Sequence, residues 1–312
     1  MRIVRLGRTD LRVSELCLGA MYFGTSTSIA DSERLLDVFI DAGGNFIDTA
    51  NIYATWRGQG GESETMLGEW MKARGNRDRV IIASKVGFQM PDGTGLSAAQ
   101  IAHQVENSLR RLQIETIDVY YAHRDDRSVP LEETLEAFEK LVRAGKVRYL
   151  GASNYRPWRL MKALGVSRQH GWAEYQCIQQ RHTFLRPEPD AKFVGGNQIV
   201  LDNDLLDLCA EEEITILAYS VLLSGAYTRS DRSREGYLTP VNERRLARLK
   251  VMAADMGISP NTLILAWMLH GQPVVIPLVA ASTEAQLQEN LRACAVTLTA
   301  EQMAALNEGL PT

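Results

Sequence analysis

The chain has 312 residues, 45% of them hydrophobic and 23% charged, with a formal net charge of −4. That length supports a large domain with an ample core, and the mild acidity gives no reason to expect nucleic acid or an acidic membrane as partner. Cys17, Cys177, Cys209 and Cys294 are far apart and form no CxxC pair, which reads as reduced core thiols of a cytoplasmic protein. The N-terminus lacks the apolar stretch of a signal peptide, and no apolar run is long enough to span a bilayer.

Taken in chain order, Ile3–Leu6 and Leu11–Val13 read as a hairpin through Gly7-Arg8-Thr9-Asp10, placed to plug the floor of a barrel formed by the later strands. A strand at 16–21 leads to a helix at 31–43, with Asp31 as its N-cap and Gly43-Gly44 at its end. Strand 45–50 precedes helix 62–74. Strand 80–86 precedes helix 97–112, which starts at Ser97 and carries Ile101, Val105, Leu109 and Leu112 at helical spacing. Strand 117–123 is followed by helix 131–144, strand 147–153 by helix 156–164, and strand 173–179 by helix 202–213. Strand 214–219 is followed by helices 242–256 and 260–270, and strand 274–278 by helices 284–293 and 300–308. Eight β/α units over this length, with no compositional break, fit a closed (β/α)8 TIM barrel occupying 1–312 as a single domain. Two connections are long. Residues 182–200 contain Pro187, Pro189 and Gly195-Gly196, and 220–241 contain Arg229, Arg232 and Arg234. Such loops in a compact domain are functional lids or mobile, and the second is expected to tighten on ligand binding.

Three of these strands end in ionisable side chains. Asp48 lies in Asn45-Phe46-Ile47-Asp48-Thr49-Ala50, Lys85 closes Val80-Ile81-Ile82-Ala83-Ser84-Lys85, and His123 closes Ile117-Asp118-Val119-Tyr120-Tyr121-Ala122-His123. Tyr53 follows Asp48 by five residues, in the next loop. Alone, each has a simpler reading: a turn-capping aspartate, a solvent-reaching lysine, a partly buried tyrosine, a satisfied strand-end histidine. Together they point to chemistry, because C-terminal ends of parallel strands share one face. An ammonium beside the tyrosine favours its phenolate, so its pKa is expected to fall below the ordinary value of about 10. The tyrosine then donates and accepts a proton, while a neutral imidazole aims a substrate carbonyl. The sum is a site that protonates an oxyanion as a hydride arrives at carbon. A metal-dependent hydrolase on the same barrel would need several strand-end histidines. Of His103, His123, His170, His182 and His270 only His123 closes a strand, and no HxH occurs, so no metal is expected.

At these residues the chain resembles the aldo-keto reductase superfamily. The stretch Gly44-Asn45-Phe46-Ile47-Asp48-Thr49-Ala50-Asn51-Ile52-Tyr53 is similar to its first signature, which Gly61-Glu62-Ser63-Glu64-Thr65-Met66-Leu67-Gly68 continues. Ala83-Ser84-Lys85 and Tyr120-Tyr121-Ala122-His123 match its lysine and histidine segments, and the resemblance covers essentially the whole chain. It implies that Tyr53, Asp48, Lys85 and His123 form a catalytic tetrad, with Tyr53 as general acid.

A hydride needs a carrier, and a nicotinamide is the natural one. No GxGxxG follows a strand, which argues against a Rossmann domain. The resemblance implies a cofactor on the barrel rim instead. Ser153 and Asn154, from Gly151-Ala152-Ser153-Asn154, and Gln179 would hold the carboxamide, with Gln176 a second candidate. Tyr219 would stack on the ring, and Ser220 to Gly225, Leu222 included, would meet the pyrophosphate. Ala281, Ser282, Gln286, Glu289 and Asn290 would take the adenosine end, and Met21 and Asp48 complete the set. No Lys or Arg lies between 273 and 291, and Ala280 stands where the family has Gly. The charge a 2′-phosphate attracts would have to come from Arg292, Arg229 or Arg232. NADP(H) is favoured, and NAD(H) is expected to be tolerated.

The partner expected is a small carbonyl or alcohol, walled by Met21, Tyr22, Phe23, Trp56 and Phe88 beside His123. Arg124, Asp125 and Asp126 would give one rim polarity suited to a sugar-like ketone, roofed by the loop from Arg181. The alternative is a nucleotide-binding, redox-sensing or regulatory subunit with little turnover. No feature sets an oligomeric state.

Overall fold

The computed structural model describes residues 1–193 and 198–310; Gly195 and Gly196 of the first long loop lie outside them. Eight parallel strands close into a barrel: β3 (Cys17–Gly19), β4 (Phe46–Asp48), β5 (Ile81–Val86), β6 (Ile117–Ala122), β7 (Val147–Ser153), β8 (Tyr175–Arg181), β9 (Thr215–Tyr219) and β10 (Val275–Val279), with β10 pairing back onto β3. This is the expected (β/α)8 barrel. Strand β6, Ile117–Ala122, is buried along its whole length, as a parallel strand covered on both faces must be.

The outer layer consists of α1 (Ile29–Asp41), α2 (Glu62–Arg74), α3 (Ala98–Leu112), α4 (Leu131–Arg143), α5 (Pro157–His170), α6 (Asn203–Glu211), α7 (Pro240–Asp255), α8 (Pro260–Leu269), α9 (Glu284–Leu291) and α10 (Ala300–Asn307). Their apolar faces pack on the barrel in one continuous core. In α3 the buried positions include Ile101, Val105, Leu109 and Leu112, the stripe read from the sequence. No helix among the described residues is long and apolar enough to cross a membrane.

Several boundaries differ from expectation, among them four with identifiable reasons. Ser28, not Asp31, caps α1, its hydroxyl accepting from Asp31 N. Helix α5 continues past 164 because Gly165 lies on its exposed face with no neighbour at its Cβ position, so nothing interrupts the helix until Gly171 ends it in the left-handed conformation. Helix α7 starts at Pro240 behind Thr239, a Thr-Pro pair that signals a helix start two residues before the expected one. Strand β8 lies two residues later than expected, because its pairing with β9 runs on to Gln180↔Ala218 and Arg181↔Tyr219.

The predicted hairpin is β1 (Ile3–Arg5) and β2 (Arg12–Ser14), paired Ile3↔Ser14, Val4↔Val13 and Arg5↔Arg12. Leu6, Leu11 and Val13 join Phe46, Val119 and Tyr121 in the interior cluster and close the floor. The turn fits only a glycine. Gly7 has φ +50° and donates its N–H to Thr215 Oγ1 at 2.7 Å. A Cβ there would stand 2.3 Å from Gln176 O. Gly151 is needed for a different reason: a Cβ would meet the Tyr121 ring at 2.4 Å. These two close approaches let the floor and middle layer fill without lifting the mouth.

Gly7→Ala is expected to destabilise the protein by ~1–3 kcal/mol, since both the left-handed backbone and the clash oppose it. Urea unfolding of the variant checks this, and a midpoint equal to wild type would contradict the plug geometry.

Candidate active site

Asp48, Lys85 and His123 are brought together at the C-terminal mouth, with Tyr53 reaching in from the loop after β4. Parallel register sets the spacing: Thr49 N donates to Ala83 O, Asn51 N to Lys85 O and His123 N to Val86 O. Lys85 and Asp48 have 0% exposed surface and form an ion pair. Lys85 Nζ also donates to Thr49 O at 2.8 Å and to Tyr53 Oη at 2.9 Å. All three ammonium protons thus have acceptors. The second oxygen of Asp48 accepts from Gln179 Nε2 at 2.8 Å.

His123 lies edge-on to Phe88, with ring centroids 4.6 Å apart, and edge-on to Tyr53 at 6.0 Å. Its Nδ1 is buried without a hydrogen-bond partner. An unmet lone pair in such a place costs less than an unmet N–H, so the proton belongs on Nε2. Burial, then Lys85 and Arg124, holds the imidazole pKa well below the ordinary histidine value. A neutral ring with an Nε2 proton is a hydrogen-bond donor for a carbonyl oxygen.

Tyr53 departs from expectation. Burial pushes its pKa up to about 12; Lys85 pulls the other way and is outweighed. The cation is visible in the sequence, whereas the desolvation that overrides it is not. Burial also opposes both charges of the pair. Around Lys85 the carboxylate of Asp48 and the Tyr53 hydroxyl prevail and raise its pKa, whereas burial carries Asp48 upward despite Lys85. In this state Tyr53 is a fully protonated donor at neutral pH.

The predicted carboxamide residues adjoin the tetrad. Asn154, at φ +57°, donates from Nδ2 to His123 O (3.1 Å) and Ser153 Oγ (3.0 Å), and its Oδ1 accepts from Tyr219 Oη (2.7 Å) and Ile199 N (3.2 Å). Its N–H donates to Gln180 Oε1 at 2.6 Å. Sequence reasoning missed Gln180 and Ile199, whose only signal is adjacency to Gln179 and Val200. Gln176 is not at the mouth: it lies at the floor, where its Oε1 accepts from Arg8 N.

After β9, Ser220, Leu223, Ser224 and Gly225 have positive φ, in a tight turn closed by Leu223 N to Ser220 O and Gly225 N to Leu222 O. They adjoin a cavity of about 280 Å³ lined by Arg181, Ser220, Leu223, Ser224, Arg232, Ser233, Glu235 and Tyr237. Leu222 is half-buried beside them. Arg232 borders the cavity, and both it and Arg229 pair with Asp231, at 3.9 and 2.6 Å. Beyond β10, Ala281 is buried and Ser282 exposed. Gln286 Oε1 accepts from Ser282 N at 2.8 Å, Asn290 Nδ2 donates to Ala280 O at 3.3 Å, and Thr283 caps α9. Glu289 faces α8, accepting from Ser259 Oγ (2.5 Å) and Asn261 Nδ2 (3.3 Å). Pairing of β10 with β3 sets this segment beside half-buried Met21.

On the other side, exposed Tyr22 and Trp56 meet edge to face at 6.1 Å. Arg124 sits 5.1 Å from the Phe88 centroid and donates to Gly87 O and Thr94 Oγ1. Phe23 is a core residue at 1% exposure, not a wall. The expected polar rim is thinner than the sequence implies, because Asp125 pairs with Arg159 and Arg127, and Asp126 accepts from Leu96 N and Ser128. No group of three or more His, Cys, Asp or Glu among the described residues could hold a metal ion.

With this geometry in view, the comparisons agree. The model of the Aldo/keto reductase family matches residues 15–310. An oxidoreductase of Bacillus subtilis (strain 168), YrpG, is 32% identical over 322 residues, covering 100% of this chain and 96% of the relative. An aryl-alcohol dehydrogenase [NADP(+)] of Phanerodontia chrysosporium is 31% identical, with 96% of this chain and 83% of that protein covered. Norsolorinic acid reductase stcV of Emericella nidulans (strain FGSC A4 / ATCC 38163 / CBS 112.46 / NRRL 194 / M139) is 31% identical, covering 96% and 79%. The chain belongs to the aldo/keto reductase family and is an oxidoreductase built on a TIM barrel.

Lys85→Met is expected to cost ~3–5 kcal/mol, because it strands a buried carboxylate. Adding Asp48→Asn should recover part of that loss, and urea denaturation of single and double variants reads the coupling; strict additivity would argue against a buried pair.

Stability should also fall in acid. His123 is held well below the ordinary histidine value and His182 at about 3, each mainly by burial. Both folded pKa values are depressed, so the neutral-state stability is intact above the unfolded value near 6.5 and is lost as pH falls below it. For His182 the expected slope is up to ~1.4 kcal/mol per pH unit below that value. His182→Phe, which keeps the stack on Trp267 (5.6 Å), should flatten the decline between pH 6 and 4 in urea titrations.

Proposed function

We propose that this protein is an NAD(P)H-dependent reductase of aldehydes or ketones, or the reverse dehydrogenase, with Tyr53 as the proton donor. The carrying observation is the complete hydrogen-bond set around Lys85, which leaves Tyr53 Oη at the mouth beside His123.

The chain offers features that suit a nicotinamide dinucleotide. The tight turn at Ser220 and Leu223–Gly225 and the cavity holding Arg181 and Arg232 suit a pyrophosphate, though Glu235 in the same wall opposes anions. Gln179, Ser153, Asn154 and Tyr219 stand beside the tetrad, where a carboxamide and ring would rest. When bound, the nicotinamide supplies the hydride. Ala281, Ser282, Gln286 and Asn290 are proposed for the adenosine end, while Glu289 is occupied by α8. The relative named for NADP(+) favours NADP(H) over NAD(H).

The residues then divide the work. His123 Nε2–H donates to the carbonyl oxygen and fixes its direction. Tyr53 Oη gives its proton to that oxygen as negative charge develops. Lys85, held by Asp48, stabilises the resulting phenolate, so proton transfer does not leave a bare anion in a dry site. Tyr22, Trp56 and Phe88 offer flat apolar surfaces, and the names of two relatives include an aryl-alcohol and norsolorinic acid. Aromatic carbonyls are therefore the first substrates to try, ahead of the sugar-like ketones that the polar rim suggested.

A panel of aryl aldehydes, diketones and sugar-derived ketones with NADPH and NADH tests this. Turnover with at least one class is expected, falling by roughly 10²–10⁴-fold in Tyr53→Phe with nucleotide binding retained. Nucleotide binding with equal inertness of wild type and variant across the panel would instead favour a redox-sensing subunit. Markedly tighter binding of NADH would overturn the NADP(H) preference.

A further inference from the structure

Arg181, the last residue of β8, is bonded to both long loops. Its backbone N–H donates to Ile199 O at 3.1 Å, and its carbonyl accepts from Leu201 N at 2.9 Å. The returning end of the first loop is thereby laid along the strand, with Arg181↔Val200 as a bridge. That placement is what brings Ile199 N onto Asn154 Oδ1. The guanidinium continues the connection. Nη1 donates to Gln198 Oε1 at 2.7 Å in the first loop and to Ser220 Oγ at 3.2 Å in the second, and Nε donates to Tyr237 Oη at 2.9 Å. Its central carbon lies 3.9 Å from the Phe193 ring centroid, and Phe193 in turn packs on Tyr237 at 5.8 Å.

The roots of both loops are held without it. Thr183 Oγ1 meets Val221 O and Tyr227 Oη, and Leu185 N donates to Tyr227 Oη. Arg181 acts on other residues, Gln198 of the first loop and Ser220 and Tyr237 of the second, and the last two wall the 280 Å³ cavity with it.

We infer that Arg181 is a positioning residue: its forked guanidinium clasps the returning end of the first loop to both ends of the second and so sets how long a nucleotide stays on the rim. The inference rests on the proposed nucleotide site. A fork joins partners in two directions at once, which a lysine ammonium of equal charge does not reproduce. That separates the clasp from a simple cation for phosphate.

The experiment compares wild type, Arg181→Met, Arg181→Lys and Tyr237→Phe, using NADPH and NADH as probes. Stopped-flow release of nucleotide should quicken about tenfold in Arg181→Met, as loss of a charged hydrogen bond implies. Arg181→Lys should stay close to Arg181→Met, and Tyr237→Phe should show a smaller change in the same direction. The KM for nucleotide should rise with release while the KM for carbonyl holds. Restoration of wild-type release by Arg181→Lys would overturn the clasp in favour of plain charge. Amide exchange without nucleotide gives a second reading. Segments 188–193 and 231–237 should exchange faster together in Arg181→Met, with 183–185 and 221–227 unchanged; equal exchange in wild type and variant would overturn the proposal. Should wild type bind neither nucleotide, the functional reading falls and the exchange result alone decides the clasp.

Discussion

A lysine ammonium with no exposed surface persists only if each of its protons finds an acceptor and its charge finds a partner. Lys85 meets that demand through Asp48, Thr49 O and Tyr53 Oη. Each acceptor depends on a different feature of the fold. Asp48 is the end of β4, Thr49 O is buried one residue past that end, and Tyr53 arrives on a turn that closes through Tyr53 N to Ala50 O. A shift of one residue between β4 and β5 would point Lys85 out of the barrel and leave Asp48 unpaired. The site is therefore a condition on register, and the closed barrel satisfies it by fixing every strand between two neighbours.

The same desolvation explains why the acid is held in reserve. Tyr53 is kept protonated by burial, His123 is kept neutral by burial, and neither holds charge at neutral pH until a reaction creates it. Lys85 partly offsets the penalty on Tyr53. The offset grows in importance as the phenolate forms, because an ion pair at short range in a dry site is strong where solvent does not screen it. An arrangement that lowered the tyrosine pKa outright would leave it partly ionised and unable to donate. In the proposed reaction, acidity would be supplied as the carbonyl oxygen gains charge.

Much of this was legible in the sequence, and what was not has a physical pattern. The eight strands, the hairpin plug and the convergence of Asp48, Tyr53, Lys85 and His123 follow from apolar runs with ionisable ends, a signal that periodicity carries. The direction of the Tyr53 shift was missed because burial is a property of the assembled barrel. Glu289 was misread for a related reason. Its position in α9 suits a nucleotide, but its carboxylate is taken by Ser259 and Asn261 of a neighbouring helix that sequence spacing does not reveal. Phe23 and Asp125 were misjudged likewise, one absorbed by the core and the other by Arg159.

The mouth thus combines two kinds of order. The tetrad is built on strands and buried hydrogen bonds, so its geometry is set by the scaffold. The side proposed for the cofactor is built on residues in left-handed conformation just past strand ends, Asn154 and Ser220, and on loops joined through the side chain of Arg181. Rigid elements hold the atoms that must be aligned when a proton moves. Loops hold what must come and go. Asn154 stands at the boundary between them, bonded to His123 O on the strand side and to Tyr219 and Ile199 on the loop side. A displacement of the loops would therefore reach His123 through one carboxamide. The coupling is short because β6, β7, β8 and β9, which carry these groups, are consecutive neighbours in the barrel.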